Sequence, residues 1–189
     1  MSMKEKYVEK HQDLIQSCRK NDQQAQLNIY KLYYKAMYNT SIRIVNNTAD
    51  AEDIMQESFL DAFLKLNSYN GDGSFGSWIK RIVINKSLDF IKARQSRMSL
   101  GQKIMEIEEQ KQEEEIETTD IDVKMDEVKT ALEKVPENYR IILVLFLLEG
   151  YDHQEIAQIL NTPYGNVRTR YSRARQRLIK EIRQSRNNN

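Results

Sequence analysis

Five arginines lie between residues 168 and 177, in a chain of 189 residues whose formal net charge is only +1. Guanidinium groups bind phosphate oxygens and the edges of guanine bases, so this density of arginine indicates nucleic-acid recognition. Thr169 and Ser172 lie among the arginines, and such small polar side chains let a backbone approach base edges. A merely solvated helix would more often alternate the sign of its charges. The segment is therefore a candidate DNA-binding helix.

The same segment has the periodicity of an α-helix with two different sides. At about 100° per residue, its apolar residues fall on one side, namely Val167, Tyr171, Ala174, Leu178 and Ile182. The opposite strip consists of Thr169, Ser172 and Gln176. Arginines flank that strip on both edges, Arg168 and Arg175 on one and Arg170, Arg173 and Arg177 on the other. This arrangement suits a helix lying in a groove of DNA.

A shorter helix is predicted directly before the arginine-rich one. Asp152 and Glu155 match a capping box, in which the two side chains accept hydrogen bonds from free amides at a helix start. That helix continues to Leu160, and the Asn-Thr-Pro sequence at 161–163 then turns the chain. A helix, a short turn and a basic second helix form a helix-turn-helix, whose second helix enters the major groove.

A separate helix is predicted from Asp50 to Leu66, with Asp50 and Asp53 as its start signal. Its apolar side contains Ala51, Met55, Phe59, Ala62 and Leu66. The opposite side carries Asp53, Gln56 and Glu57, with Leu60 and Leu64 between and beyond them. Leucines among acidic groups on an outward side predict a protein partner with a basic and apolar surface, unless another helix of the same domain covers them.

Residues 71–76, Gly-Asp-Gly-Ser-Phe-Gly, match the G-x-G-x-x-G pattern of dinucleotide-binding sites. Such a site needs a preceding strand and a βαβ unit, whereas a helix is predicted before this pattern. We therefore interpret it as a loop between helices that faces DNA. The helix that follows, at about 77–94, has two stripes. The core stripe is Phe75, Ile79, Ile82, Val83 and Phe90, and the second stripe is Trp78, Arg81, Asn85, Asp89 and Lys92. Trp78 has two interpretations, stacking on an unpaired base or membership of the core.

Charge is sorted into blocks along the chain. Residues 76–97 contain six basic residues and one acidic residue, and residues 162–186 contain eight and one. Between them, residues 102–127 contain three basic and eleven acidic residues. Two basic segments separated by an acidic, glutamate-rich stretch indicate two binding modules and a linker.

The composition favours helices over strands, because the chain has only six glycines and two prolines for turns. We predict an all-α protein of two small helical domains, at 1–95 and 122–185. A flexible acidic linker at 96–121 joins them, and the second domain contains the helix-turn-helix.

Catalytic and metal-site interpretations find little support in the residues. The single cysteine, Cys18, excludes an internal disulfide, and its spacing to His11 and His153 matches no metal site, so no metal or cofactor is expected. His153 is expected to be solvated. The longest apolar run is the eight residues from Ile141 to Leu148, far short of a membrane span. Without a signal-like start either, we expect a cytoplasmic protein.

Three stretches of the sequence resemble one protein family. They are AEDIMQESFLDAF at 51–63, SWIKRIVINKSLDFIKAR at 77–94 and YDHQEIAQILNTPYGNVRTRYSRARQRL at 151–178. Together and in this order they are similar to bacterial RNA polymerase sigma factors, most of all to the small two-domain extracytoplasmic-function (ECF) group. The stretch VPENYRIILVLFLLEGYDHQEIA continues the resemblance into the first helices of the second domain.

The resemblance implies a role for each candidate residue. Contacts with the coiled coil of the polymerase clamp would come from Asp53, Gln56 and Glu57, with Leu60 beside them. The loop at 67–75 would capture a flipped base of the minus-ten element, with candidate residues Asn70, Ser74 and Phe75, and Trp78, Asn85 and Asp89 in the helix beside it. The minus-thirty-five element would be read by the arginine-rich helix, through Arg168, Thr169, Ser172 and Arg173, with Arg175 placed for the DNA backbone.

By this resemblance the chain binds core RNA polymerase and promoter DNA, directs promoter-specific initiation, catalyses no reaction itself and is controlled by an anti-sigma factor. The main alternative is a helix-turn-helix regulator that binds DNA without polymerase. The acidic, leucine-bearing side at 53–64 argues against that alternative.

Overall fold

Helices account for all the regular structure in residues 9–101 and 124–187, the parts of the chain that the computed structural model describes. The all-α prediction is therefore confirmed. The chain divides into two compact units, Met1–Ser96 and Arg97–Asn189. From residue 102 onward, the predicted linker lies outside the described residues.

The first unit contains four helices and a short 3₁₀ turn. They are α1 (Gln12–Arg19), α2 (Gln23–Val45), α3 (Thr48–Leu64), the 3₁₀ turn Leu66–Ser68 and α4 (Phe75–Gly101), which continues beyond the end of the unit at Ser96. Asn46 ends α2 in the left-handed conformation with φ of 55°, and Asn47 then begins α3 by accepting a hydrogen bond from the amide of Asp50 at 3.0 Å. The predicted start signal at Asp50 was therefore wrong, because the cap is Asn47, three residues earlier.

The core of the first unit brings all four helices together. Its buried residues include Ile15, Ile29, Met37, Met55, Phe59, Phe75, Ile79 and Val83. The predicted apolar side of α3 is buried along its whole length. On α2, Ala25 and Ile29 occupy the core, whereas Leu27 is 44% exposed.

The second unit contains α5 (Met125–Lys134), α6 (Glu137–Leu143), α7 (His153–Leu160) and α8 (Tyr164–Asn187). Between α6 and α7, residues Val144–Leu148 form a π-helical turn, in which the amide of Glu149 donates to the carbonyl of Val144 at 3.0 Å. Gly150 follows with φ of 79°, a conformation that glycine adopts without strain. The core contains Leu132, Ile142, Leu145, Ile156, Val167, Ala174 and Leu178.

The helix-turn-helix is formed by α7 and α8. The predicted capping box is present: Asp152 accepts hydrogen bonds from the amides of Gln154 and Glu155 at 2.7 and 2.8 Å, and Glu155 accepts from the amide of Asp152 at 2.8 Å. Asn161 ends α7 with φ of 49°, and α8 begins three residues later. Among the described residues, no helix has the length and apolar character needed to cross a membrane.

Candidate functional site

The first candidate site is the outward side of α8. Val167, Ala174, Leu178 and Ile182 are buried and Tyr171 is half-buried, which fixes the direction in which the opposite side points. That opposite side exposes Arg168, Thr169, Ser172, Arg173 and Arg175. The predicted division of the helix into an apolar and an arginine-bearing side is therefore confirmed.

Two contacts on α8 refine this picture. The Thr169 hydroxyl donates to the carbonyl of Gly165 at 3.1 Å, so its oxygen lone pairs and methyl group are what it offers to a ligand. The Arg177 guanidinium lies 5.1 Å from the centre of the Tyr139 ring, a cation–π contact within the second unit. Arg168 similarly lies 6.0 Å from the Tyr164 ring.

An aromatic cluster anchors α8 against the preceding elements. The His153 ring stacks on Phe146 with centroids 4.8 Å apart and meets Tyr171 at 4.8 Å, edge to face. The expectation that His153 is solvated was therefore wrong, since two rings cover it. Burial raises the pKa of Tyr171, and nearby Arg175 opposes that rise only in part. The neutral hydroxyl thus belongs to the packing of α8.

The second candidate site is the outward side of α3, with Asp53, Gln56, Glu57 and Leu60. All four are exposed, Leu60 to 64%, and Leu64 beyond them is 83% exposed. Among the described residues no helix covers these leucines, which argues against their packing within their own domain. Exposed leucines next to carboxylates form a surface suited to a partner with apolar and basic groups.

A lysine from α4 borders this acidic side. The Lys86 ammonium lies 3.3 Å from Glu57 and 3.4 Å from Asp61. A hydrogen bond from Lys65 lowers the pKa of Asp61, slight burial opposes this, and the charge of Lys86 lowers it further. Asp53, by contrast, is exposed and has no ion-pair partner among residues 9–101 and 124–187.

The third candidate site is the loop before α4, and here one predicted residue must be corrected. Phe75 is only 1% exposed, and its ring contacts Tyr33 at 5.4 Å and Tyr69 at 5.6 Å. A base cannot stack on a ring that the core encloses, so Phe75 is a core residue and not a direct DNA contact. Trp78 is half-buried, with its ring 5.5 Å from both Tyr69 and Phe75.

Polar contacts shape the rest of the loop. The Asn70 amide donates to the Asp72 carboxylate, and the amide of Asp72 donates back to Asn70 at 3.2 Å. Ser74 accepts a hydrogen bond from the amide of Ser77 at 3.0 Å and so caps α4. Asn70 is exposed at the loop tip, whereas Ser74 is half-buried at its end. On α4 itself, Asn85 and Asp89 are both exposed.

Two glycines of the G-x-G-x-x-G pattern have structural reasons in this loop and at the start of α4. Gly71 has φ of 84°, and a Cβ on Gly76 would lie 3.0 Å from the ring of Tyr33. Helix α3 and a 3₁₀ turn precede the pattern, so the strand that a dinucleotide site needs is missing. Within the described residues, no three His, Cys, Asp or Glu side chains are grouped as a metal site would require.

Three residues near these sites were not predicted from the sequence. Lys86 borders the acidic side of α3, and Glu9 and Arg19 contact the loop before α4. Glu9 and Arg19 lie 66 and 50 residues from their partners. Local periodicity cannot predict contacts between residues so far apart in sequence, so only the folded structure reveals these contacts.

Comparison with known proteins agrees with this geometry. The family model described as "Sigma-70 region 2" matches residues 29–97, and "Sigma-70, region 4" matches residues 125–178. The first match contains the α3 side and the loop before α4, and the second contains α7 and most of α8. All three candidate sites thus lie inside the matched regions.

Curated relatives match most of the length of this chain. The "ECF RNA polymerase sigma factor SigW" of Bacillus subtilis is 30% identical over 177 residues, which cover 89% of this chain and 95% of the relative. The "RNA polymerase sigma-H factor" of Pseudomonas aeruginosa is 28% identical over 182 residues. The sigma factor RpoE, solved with the anti-sigma factor NepR from Bartonella quintana, has a similar fold, with a TM-score of 0.56, 22% identity and coverage of 82% of this chain and 95% of that one. This chain therefore belongs to the ECF group of bacterial RNA polymerase sigma factors.

Proposed function

We propose that this sigma factor joins core RNA polymerase through α3 and recognises promoters through α8 and the loop before α4. The observation that carries the proposal is the outward side of α8, where exposed arginines flank Thr169 and Ser172 opposite a buried apolar stripe. The side lies on the second helix of a helix-turn-helix, the helix that enters the major groove in such motifs.

On α8, position decides which residues read bases. Thr169 and Ser172 lie along the centre of the exposed strip and would meet the base edges of the minus-thirty-five element. Arg168 and Arg173 flank the centre and would reach bases, while Arg175 would bind a phosphate. The contact of Arg177 with Tyr139 directs that arginine towards its own unit.

At the minus-ten element, we propose that the loop at 67–75 holds a flipped base. Asn70 at its exposed tip and Trp78 behind it are the candidate contacts, with Asn85 and Asp89 on the exposed side of α4. Ser74 and the buried Phe75 would shape the loop from within. Stacking on an aromatic ring suits an unpaired base whatever its identity.

Polymerase binding is assigned to the acidic, leucine-bearing side of α3. Asp53, Gln56 and Glu57 would pair with basic groups of the clamp, and Leu60 would cover an apolar part of it. This divides the chain into a polymerase-binding and minus-ten domain at 1–95 and a minus-thirty-five domain at 122–185, joined by the linker at 96–121.

Regulation is proposed by comparison. RpoE of similar fold was solved with the anti-sigma factor NepR, and we propose that an anti-sigma factor also holds this chain until a signal releases it. The chain would work in the cytoplasm with polymerase and DNA. It would catalyse no reaction. Promoter opening would be driven by base capture, without nucleotide hydrolysis by this chain.

The decisive experiment separates a sigma factor from a DNA-binding regulator. Purified chain is mixed with core polymerase and applied to a size-exclusion column at moderate salt, and promoter binding is then measured with and without core enzyme. A sigma factor co-elutes with the core and binds promoter DNA tightly only in its presence. Tight sequence-specific binding by the chain alone, without co-elution, would overturn the proposal.

A further inference from the structure

Three hydrogen bonds join the first twenty residues to the two ends of the loop before α4. Glu9 accepts from the backbone amide of Phe75 at 2.7 Å and from the hydroxyl of Tyr69 at 3.1 Å. The Arg19 guanidinium donates to the backbone carbonyl of Tyr69 at 2.5 Å. Tyr69 follows the 3₁₀ turn Leu66–Ser68 and Phe75 begins α4, so Glu9 and Arg19 hold both ends of the part of the loop between them.

The charges of these two side chains suit their partners. Phe75 is the first residue of α4, where the unpaired amides of a helix start favour an anion such as the Glu9 carboxylate. Burial raises the pKa of Glu9, but hydrogen bonds from the Phe75 and His11 amides and the Tyr69 hydroxyl outweigh it and lower the pKa overall. Glu9 therefore contacts the loop as a charged carboxylate at neutral pH.

Arg19 binds the other end of the loop, at Tyr69. It is half-buried, and its Nε atom is buried without a hydrogen-bond partner among the described residues. Burying a guanidinium is costly unless its hydrogen bonds compensate, so the bond to the Tyr69 carbonyl has a specific structural role.

Between these ends, Asn70 and Asp72 exchange hydrogen bonds only with each other among the described residues. Residues 70–72 are exposed, and Gly71 and Gly73 give the backbone great conformational freedom. The Tyr69 hydroxyl has one proton and shares it between the Glu9 carboxylate at 3.1 Å and the carbonyl of Gly73 at 2.7 Å, so Tyr69 links Glu9 to the far side of the loop. Fixing Tyr69 and Phe75 thus fixes the two points between which the exposed residues of the loop are held.

We propose that Glu9 and Arg19 are positioning residues for base capture, which hold the loop at 69–75 in its receptive shape before DNA arrives. The proposal rests on the proposed function of that loop. A preorganised loop loses less conformational entropy when it takes up a base, so promoter opening becomes more favourable without any direct contact between these two residues and DNA.

The test uses the full chain in holoenzyme. Glu9→Gln and Arg19→Met are compared with two controls, Asp13→Asn on α1 and Lys20→Met directly after it, which remove exposed charges from residues that do not contact the loop. Opening is followed by the fluorescence of 2-aminopurine in the minus-ten element, on a duplex promoter and on the same promoter with a premelted bubble. Hydrogen exchange of the Phe75 amide reports the loop anchor itself.

We expect the two test variants to open duplex promoter at least about ten-fold less well than the controls, the loss typical of one charge-assisted hydrogen bond. Core binding, helix content and initiation from the bubble promoter should match the wild type, and the Phe75 amide should exchange faster in Glu9→Gln. Wild-type opening by both variants would overturn the proposal. Equal losses on duplex and bubble promoters would also overturn it, because they indicate a general folding role.

A loop replacement, with residues 70–73 all changed to serine, distinguishes this positioning role from the proposed base capture by the loop, on which it rests. If that variant fails to open duplex promoter while Glu9→Gln and Arg19→Met open it normally, the loop captures a base and the positioning role alone is wrong. If the loop replacement itself opens promoter normally, the proposed function of the loop is wrong and the positioning role falls with it.

Discussion

The Lys86 ammonium on α4 lies 3.3 Å from the carboxylate of Glu57 on α3. One of the two acidic groups proposed to bind polymerase is therefore already paired within the chain. Asp53, one turn earlier on the same side, is exposed without an ion-pair partner among the described residues. The two carboxylates thus differ in how much charge they offer to a partner.

This difference predicts the effect of changing each carboxylate. Asp53→Ala and Glu57→Ala together should weaken core polymerase binding by roughly ten- to a thousand-fold, with helix content unchanged, because both side chains are exposed. Of the two single variants, Asp53→Ala should have the larger effect. Affinity is measured with labelled chain and core enzyme at moderate salt.

Asp13→Asn on α1 is the control for this measurement, since it removes an exposed carboxylate away from α3. Unchanged affinity in the double variant would remove the polymerase-binding role from α3. Lys86→Met should change the free energy of unfolding by only about 0.2–1 kcal/mol, as is usual for surface ion pairs.

If the loop before α4 captures a base, a change there should impair promoter opening without impairing promoter binding. Trp78→Ala should spare the closed complex and reduce opening, because stacking of one base contributes about 1–3 kcal/mol. A premelted promoter should restore initiation, and Trp78→Phe, which keeps an aromatic ring, should retain most of the activity. Loss of helix content in Trp78→Ala would instead make the half-buried tryptophan a core residue.

Arg173 tests whether the edge of the α8 strip reads bases or binds the DNA backbone. If Arg173 contacts a guanine in two places, Arg173→Ala should cost about 1–3 kcal/mol and relax the preference at one position of the minus-thirty-five element. A phosphate contact would instead weaken binding to every sequence and reduce the salt slope by about one. A panel of promoter variants at two salt concentrations separates these cases, and equal weakening across the panel would contradict the base contact.

The lowered pKa of Glu9 predicts a pH dependence of stability. Because the folded-state pKa lies below the ordinary value of about 4.3, the stabilisation by Glu9 is complete above that value and is lost as the pH falls through the folded pKa. The difference in thermal midpoint between wild type and Glu9→Gln should therefore be constant above about pH 5 and shrink below it. A difference that stays constant down to acidic pH would show that the carboxylate charge contributes nothing.

Local patterns predicted much of the fold. The buried stripe of α8, from Val167 to Ile182, follows directly from the helical period, and the capping box of Asp152 with Glu155 lies within four residues. Both depend on neighbours in sequence, so the sequence alone was enough to predict them.

Contacts between distant segments could not be predicted in this way. Phe75 was predicted both on the core stripe of α4 and, by resemblance, as a base contact, and only its enclosure by the rings of Tyr33, Tyr69 and Trp78 decides between the two. His153 similarly begins a helix and is covered by Phe146 from the π-helical turn. Their burial depends on tertiary packing, which overrides local pattern.

The most direct test of the central claim is to map transcript starts made by core polymerase with this chain on a library of genomic fragments. We predict starts at a limited set of sites that share two sequence elements at fixed spacing, and none of these starts with core enzyme alone. A variant with Thr169→Ala and Ser172→Ala should change the preferred bases in the upstream element only. Transcription no different from that of core enzyme alone, or starts without a shared upstream element, would contradict the account.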